Sequence, residues 1–377
     1  MRKFFVFLFI FSSFLVSCGQ QEKSGTSTAN LFSPQKPKLT GDPIIDAGKF
    51  GDVMNPDFAT MFKDPSLFAV TREFGYSVVK TRKYPATDLA VATLAKPWSS
   101  WWYPKKEPLL FTDSGGTLSA LTKYDIIHRN LKPTAGSAAE YERQKFSPQA
   151  AMWEGLCDAW SFASLAKPEP KKPVKITYAD GSASMTFSVA DLKGLALMTY
   201  EAVDDKGLNY FGQKFSGGPD GWIFPDIFPE QFHRFIEVQL FENKKAFVMD
   251  HDSGVEVWNV PVFKANYKMD LVPNEPDSLF VRMWLYSAES VLSTEKNFVG
   301  TKQSVREYDY VLQGMRDNEG NLVVTSGYWV KGPDGIDSRN DHPDYMIQIS
   351  DPAKLVQKSW NPEIDVDLVN AILEKSY

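Results

Sequence analysis

Along the first half of this 377-residue chain apolar positions recur every three or four residues in separate stretches; along the second half they alternate with polar ones. Leu118, Leu121, Tyr124 and Ile127 share one face of a helix predicted over 117–130. A second helix is predicted over 157–166, stopped by Pro168 and Pro170, which cannot continue it. Ser188 with Asp191 three residues later makes a capping-box-like start for a third, carrying Leu192, Leu195 and Met198. Residues 174–178 and 182–187, joined through Asp180-Gly181, read as a hairpin. A Gly-rich turn region is expected over 211–220, strands over 232–270, 279–286 and 305–330, and a terminal helix over 364–375. The fold class is α+β, with helices early and antiparallel strands late.

The N-terminus changes this picture. Arg2 and Lys3 precede an apolar run too short to span a bilayer, and small Ser17 precedes Cys18. That arrangement reads as a lipoprotein signal over 1–18, with lipid attached to Cys18. Residues 19–42 are polar, rich in Ser, Thr, Pro and Lys, and read as a flexible tether. The expected location is therefore the bacterial cell envelope, lipid-anchored and outside the cytoplasm, with Gly19 favouring the outer membrane where there are two. Residues 43–377 form the remaining domain, divided into a lobe over 43–145, a core over 146–270 and a β-rich part over 271–377. The net charge of −6 comes without basic clusters, which argues against nucleic acid as a partner.

With Cys18 lipidated, the second of the two cysteines, Cys157, has no intramolecular disulfide partner. It sits where a helix should begin, and a helix N-terminus suits a thiolate nucleophile; an inert buried thiol is the bland alternative. Asp158 beside it opposes ionisation unless it points away. Four histidines are available as a base: His128, His233, His251 and His342. Alternation over 232–241 places His233, Phe235, Glu237 and Gln239 on one strand face. A turn through 242–245, pairing Phe241 with Ala246, brings Asp250 onto the face of His233, short of it by about 13 Å in an ideal ladder. Asp252, on the same face, is the runner-up. The same parity aims His251 at the opposite face.

A Cys heading a helix, a later His and then an Asp, in the order Cys157, His233, Asp250, is similar to the transglutaminase-like, papain-related fold. More narrowly the chain resembles the transglutaminase elicitor family of oomycete secreted transglutaminases and bacterial relatives. The resemblance rests on Lys123-Tyr-Asp125, Trp153-Glu-Gly-Leu-Cys157-Asp-Ala-Trp160 and Asp226-Ile-Phe-Pro-Glu-Gln-Phe-His233. Phe247-Val-Met-Asp250, Glu256-Val-Trp-Asn-Val-Pro-Val262 and His342-Pro-Asp-Tyr345 complete it. The family often carries His-Gly where this chain has Asp158-Ala159, and Gln where it has Val260. The resemblance implies a papain-like core with an antiparallel β-rich C-terminal region, and acyl transfer from a protein glutamine to a lysine or other amine through a thioester. It implies Cys157 as nucleophile, His233 as base and Asp250 as the residue orienting it. Hydrolysis by the same triad, as a peptidase or amidase, and a non-catalytic envelope-binding lipoprotein are the alternatives.

Trp98, Trp101, Trp102 and Tyr103 read either as a groove for substrate or as packing, and Trp153 and Trp160 either wall Cys157 or pack the helix. Trp102, Trp153 and Trp160 are the candidate substrate-binding residues. Asp250, Asp252 and Glu256 superficially suggest calcium but lack the spacing of a calcium loop, and scattered histidines argue against zinc; no cofactor is expected, with calcium the alternative.

Overall fold

The structure, a computed structural model, describes residues 88–377 apart from 179, 204–206, 213–226, 228, 253, 317, 319–321 and 331–341. The signal, Cys18, the tether and Asp226 lie outside the described residues, so those expectations have no structural counterpart here.

An antiparallel sheet and a layer of helices make up the described chain. Strands β1 (Asp88–Thr93), β2 (Val174–Thr177), β3 (Ser184–Phe187) and β4 (Leu208–Gly212) precede β5 (Phe247–Asp250). The long strands follow: β6 (Asn259–Val272), β7 (Glu275–Glu289), β8 (Lys302–Arg316), β9 (Leu322–Trp329), then β10 (Tyr345–Ile349). The large sheet runs β4-β10-β5-β6-β7-β8-β9. β5 pairs with the start of β6 (Asp250 with Asn259) and β1 with its continuation (Thr93 with Lys264), so the two lie in succession along one side of β6. β6 and β7 are joined by a two-residue turn at Pro273-Asn274, in which Pro fixes the first φ and Asn274 takes φ +64°.

The helices are α1 (Ala120–Leu131), α2 (Ala138–Lys145), α3 (Cys157–Ala166), α4 (Val189–Met198), α5 (Pro229–Ile236) and α6 (Val366–Leu373). Local chemistry accounts for them. Ser119 caps α1 and Asp365 caps α6; the capping box that the sequence predicts at Ser188 and Asp191 is complete on α4. The predicted hairpin is β2–β3.

One expectation is overturned. Residues 232–241 are not a strand and form no hairpin with 246–250: α5 continues as a π-helical turn over Glu237–Glu242, and β5 pairs with β6 and β10 instead. The reason is legible afterwards. Phe232, Phe235, Ile236 and Leu240 stand at i, i+3, i+4 and i+8, all are buried, and Pro229 and Glu230 suit a helix's first turn. β4 likewise occupies part of the expected turn region.

Two apolar cores result. The first joins α1, α3, α4 and α6 to the β5–β10 part of the sheet and contains Cys157, Trp160 and Val248. The second lies between α5 with its π-turn and the long strands, and contains Phe232, Phe235, Tyr267 and Tyr310. Among the described residues no helix is long and apolar enough to cross a membrane.

Candidate active site

Cys157 is the first residue of α3, and its position is set by what precedes it. At Gly155 an added Cβ would lie 2.4 Å from the Trp102 ring and 2.9 Å from the Tyr103 carbonyl, so only glycine lets the chain pass there. Leu156 N–H donates to the Trp102 carbonyl at 2.8 Å, and Lys105 N–H to the Glu154 carbonyl at 2.8 Å. The segment 102–105 is thereby strapped to the approach of α3. One turn on, Ser161 Oγ donates toward the carbonyls of Cys157 (2.9 Å) and Asn259 (3.1 Å), holding the helix against β6. Trp160 Nε1 donates to the Trp98 carbonyl at 2.9 Å.

Cys157 is in no disulfide and is 2% exposed, and its thiol points at the Val257 carbonyl, 3.8 Å away. It lines a cavity of about 210 Å³ together with Trp102, Trp160, His251, Trp258 and Asn259. Trp102 and Trp258 meet edge to face, centroids 5.4 Å apart. The other wall comes from the ends of β7 and β8, through Ser287, Glu289, Ser304 and Arg306. Of the three tryptophans named from sequence, Trp102 and Trp160 line this cavity; Trp153 is half-buried and does not.

The structure does not bring His233 to Cys157. His233 is fully buried in the second core, its Nδ1 2.6 Å from Tyr310 Oη, its Nε2 3.7 Å from Glu237 and its ring edge-on to Tyr267. Tyr310 lies four residues along β8 from Arg306 and six from Ser304, a separation of roughly 13–20 Å. The histidine that shares the cavity with the thiol is His251. It follows the last residue of β5, where strand alternation stops, so the parity that aimed it away from the site no longer holds. Burial, with a smaller push from the Arg306 cation, holds its imidazole down to about 3, so the ring is neutral.

Asp250 contacts neither histidine through a hydrogen bond. Its Oδ1 accepts from the N–H groups of Trp258 (2.9 Å) and Asp252 (3.4 Å), and Oδ2 is buried without a hydrogen bond. Burial, joined by repulsion from Asp344 and Asp252, outweighs the Trp258 hydrogen bond and holds its carboxyl well above the usual range. It therefore closes the loop over 251–257 that delivers His251 and Trp258 to the cavity. Asp252 turns back on its own loop, its Oδ1 accepting from Gly254 N–H at 2.7 Å. Asp158 is half-buried in the first turn of α3, where its carboxylate accepts from Ala159 N–H at 2.7 Å. Among the described residues no three His, Cys, Asp or Glu side chains cluster to hold a metal ion.

A cysteine at a helix start thus lines one cavity with three tryptophans and a neutral imidazole. Comparison with known families matches residues 133–286, a span that holds Cys157, Trp160, His251 and Trp258. The match is to the transglutaminase elicitor family. The fold is also similar to a solved one, the GP42 transglutaminase from Phytophthora sojae. The TM-score is 0.59 at 20% identity, over 84% of this chain and 98% of that one. At that identity the likeness is one of fold, mixed helices with an antiparallel sheet. No curated protein matches the chain. The resemblance to the elicitor family is thus matched by the family comparison, and the expected mix of helices and antiparallel sheet by the solved fold.

Proposed function

We propose that this protein is a transglutaminase-type acyltransferase in which Cys157 is the nucleophile and His251, rather than His233, is its base. The observation carrying this reading is the shared cavity: thiol and imidazole line the same 210 Å³ space, and both residues lie within the segment matching the transglutaminase elicitor family. The sulfur attacks the side-chain carbonyl carbon of a glutamine, forming a C–S bond. His251 takes the thiol proton and passes it to the amide nitrogen, which leaves as ammonia when the C–N bond breaks. A primary amine then attacks the thioester; the new C–N bond forms, the C–S bond breaks, and the amine's proton returns to sulfur through His251. The N-terminal amides of α3 present positive dipole to the developing oxyanion, with Cys157 N–H the nearest. Trp102, Trp160 and Trp258 exclude water, which favours transfer over hydrolysis. Asp250 is a positioning residue in this reading, acting through the loop that carries His251 and Trp258. The chain as a whole acts as an envelope lipoprotein anchored through Cys18, on protein substrates within reach of its tether.

The test incubates the full chain with a fluorescent primary amine and a glutamine-rich protein, beside Cys157→Ala. Label joined to the protein by the wild type alone supports the reading. Ammonia or new peptide ends without label would make the site a hydrolase. Neither product would leave a non-catalytic binding lipoprotein.

A further inference from the structure

Two charged side chains at the cavity wall have no role in the steps above. Glu289, near the end of β7, and Arg306, on β8, both line the cavity that holds Cys157. Among the described residues neither is in an ion pair; Arg306 makes only a long contact, 3.4 Å, from Nη1 to the His251 carbonyl. The other charges nearby are already engaged. Lys302, in register with Glu289, is paired with Glu295, and the Arg282 guanidinium is held by Asp309 and Glu307.

Strand register fixes how the two unpaired charges are disposed. Ser287 stands opposite Ser304, Glu289 opposite Lys302, and Leu285 opposite Arg306. Residues two apart on a strand share a face, so Glu289, Ser287, Ser304 and Arg306 all project to one side of the β7–β8 ribbon. The order along it is carboxylate, two hydroxyls, guanidinium, with the charged ends about 13 Å apart at the backbone. Both serines line the same cavity. The cationic end also lies close enough to His251 to disfavour a proton on its ring.

A neutral hydrocarbon amine would leave this row of groups with nothing to meet. We infer that the amine acceptor also carries a carboxylate: its acid is held by Arg306, its ammonium is drawn in past Glu289, and its middle lies along the two serines. The chemical class is an ω-amino acid or short peptide with a free carboxylate, such as a lysine residue at a chain end. The guanidinium fork matches a carboxylate in two parallel hydrogen bonds. Glu289 offers an exposed counter-charge to an incoming ammonium, and the amine must shed a proton before it attacks. This deepens the acyl-transfer reading and rests on it, but its central claim concerns recognition and is measurable without turnover.

The experiment is isothermal titration calorimetry of the full chain at low ionic strength with Nα-acetyl-lysine and with its methylamide, in which the acid is capped. The expected result is about tenfold tighter binding of the free acid, the scale of one charge-assisted pair at a partly solvated site. In Arg306→Gln the ratio should fall to near one, whereas Arg306→Lys retains part of it. The ratio should also shrink in about 0.5 M salt, where screening is strong. Equal affinities for the two ligands, absence of saturable binding, or a preference that survives Arg306→Gln would each overturn the inference. Amine incorporation is then assayed separately. A protein that shows the carboxylate preference but transfers no acyl group keeps the acceptor site and loses the transglutaminase reading. One that transfers acyl groups to both amines equally does the reverse.

Discussion

Two histidines of this molecule were candidates for the same role and differ in what surrounds them: His233 is fully buried, His251 half-buried. His233 is fully enclosed among Tyr267, Tyr310 and Glu237, with a ring nitrogen 2.6 Å from a tyrosine hydroxyl. His251 lines a cavity with the thiol, Asn259, Ser287 and Ser304, and the Arg306 cation beside it disfavours a proton on its ring. The first arrangement encloses an imidazole and ties one of its nitrogens to a tyrosine hydroxyl; the second leaves it neutral at the wall of the cavity that the thiol shares. The lesson is that a histidine's suitability as a base lies in its unoccupied side, which residue spacing does not reveal.

Removing each ring in turn separates the two roles most clearly. His251→Ala should lower amine incorporation by about 10²–10⁴-fold with little change in thermal midpoint. Its partner experiment, His233→Ala, should cost about 2–4 kcal/mol of stability in urea melts while activity per folded molecule stays within a few-fold. If the two phenotypes are exchanged, His233 is the base and the site has been misplaced. The wild-type pH profile sharpens the same point. With His251 held down to about 3, the base form persists well below neutrality, so the acid limb of kcat/KM should lie under the ordinary imidazole range. Arg306→Gln should shift that limb upward, since removing a neighbouring cation eases protonation.

A smaller effect tests whether buried acids burden the first core. Burial, with Glu142 nearby, raises Glu201 to about 8 against 4.5 when unperturbed. The folded state therefore retains a proton that the unfolded chain releases. This contribution is complete at low pH and is lost as pH rises from the unfolded value to about 8. Glu201→Gln, which keeps an acceptor for Ser359 and Trp360, should match the wild type near pH 5 and melt higher at pH 8. An unchanged slope between those pH values would place the titration elsewhere. Smallest of all, Ser188→Ala removes the side-chain half of the α4 capping box and should cost about 1 kcal/mol in the same melts.

What could be read from the sequence was whatever is decided within a few residues. The capping box at Ser188, the helix from Cys157 to its proline stop, and the hairpin at Asp180-Gly181 are all local, and all are present. The stretch 232–241 reads as a strand because its even-numbered apolar residues satisfy alternation as well as they satisfy a helix. Phe235 and the entry through Pro229-Glu230 were the deciding signals. The pairing of β5 with β10 joins residues some hundred positions apart and leaves no local trace. Cys157, Trp102 and Trp160 were legible because a helix start and a nearby aromatic cluster mark them. His251, Trp258, Ser287, Ser304 and Arg306 meet only after the sheet is assembled. Trp258 and Asn259 had one signal, the Glu256-Val-Trp-Asn motif; Arg306 had none.

The contact between Gly155 and the face of Trp102 has a further consequence. Cavity wall and nucleophile rest on one support, so neither position is free to drift alone. Any side chain at 155 demands a smaller ring at 102, and a smaller ring at 102 leaves a void that 155 must fill. Across descendants of this gene the two sites should change as a pair or not at all, an inherited constraint written in steric terms.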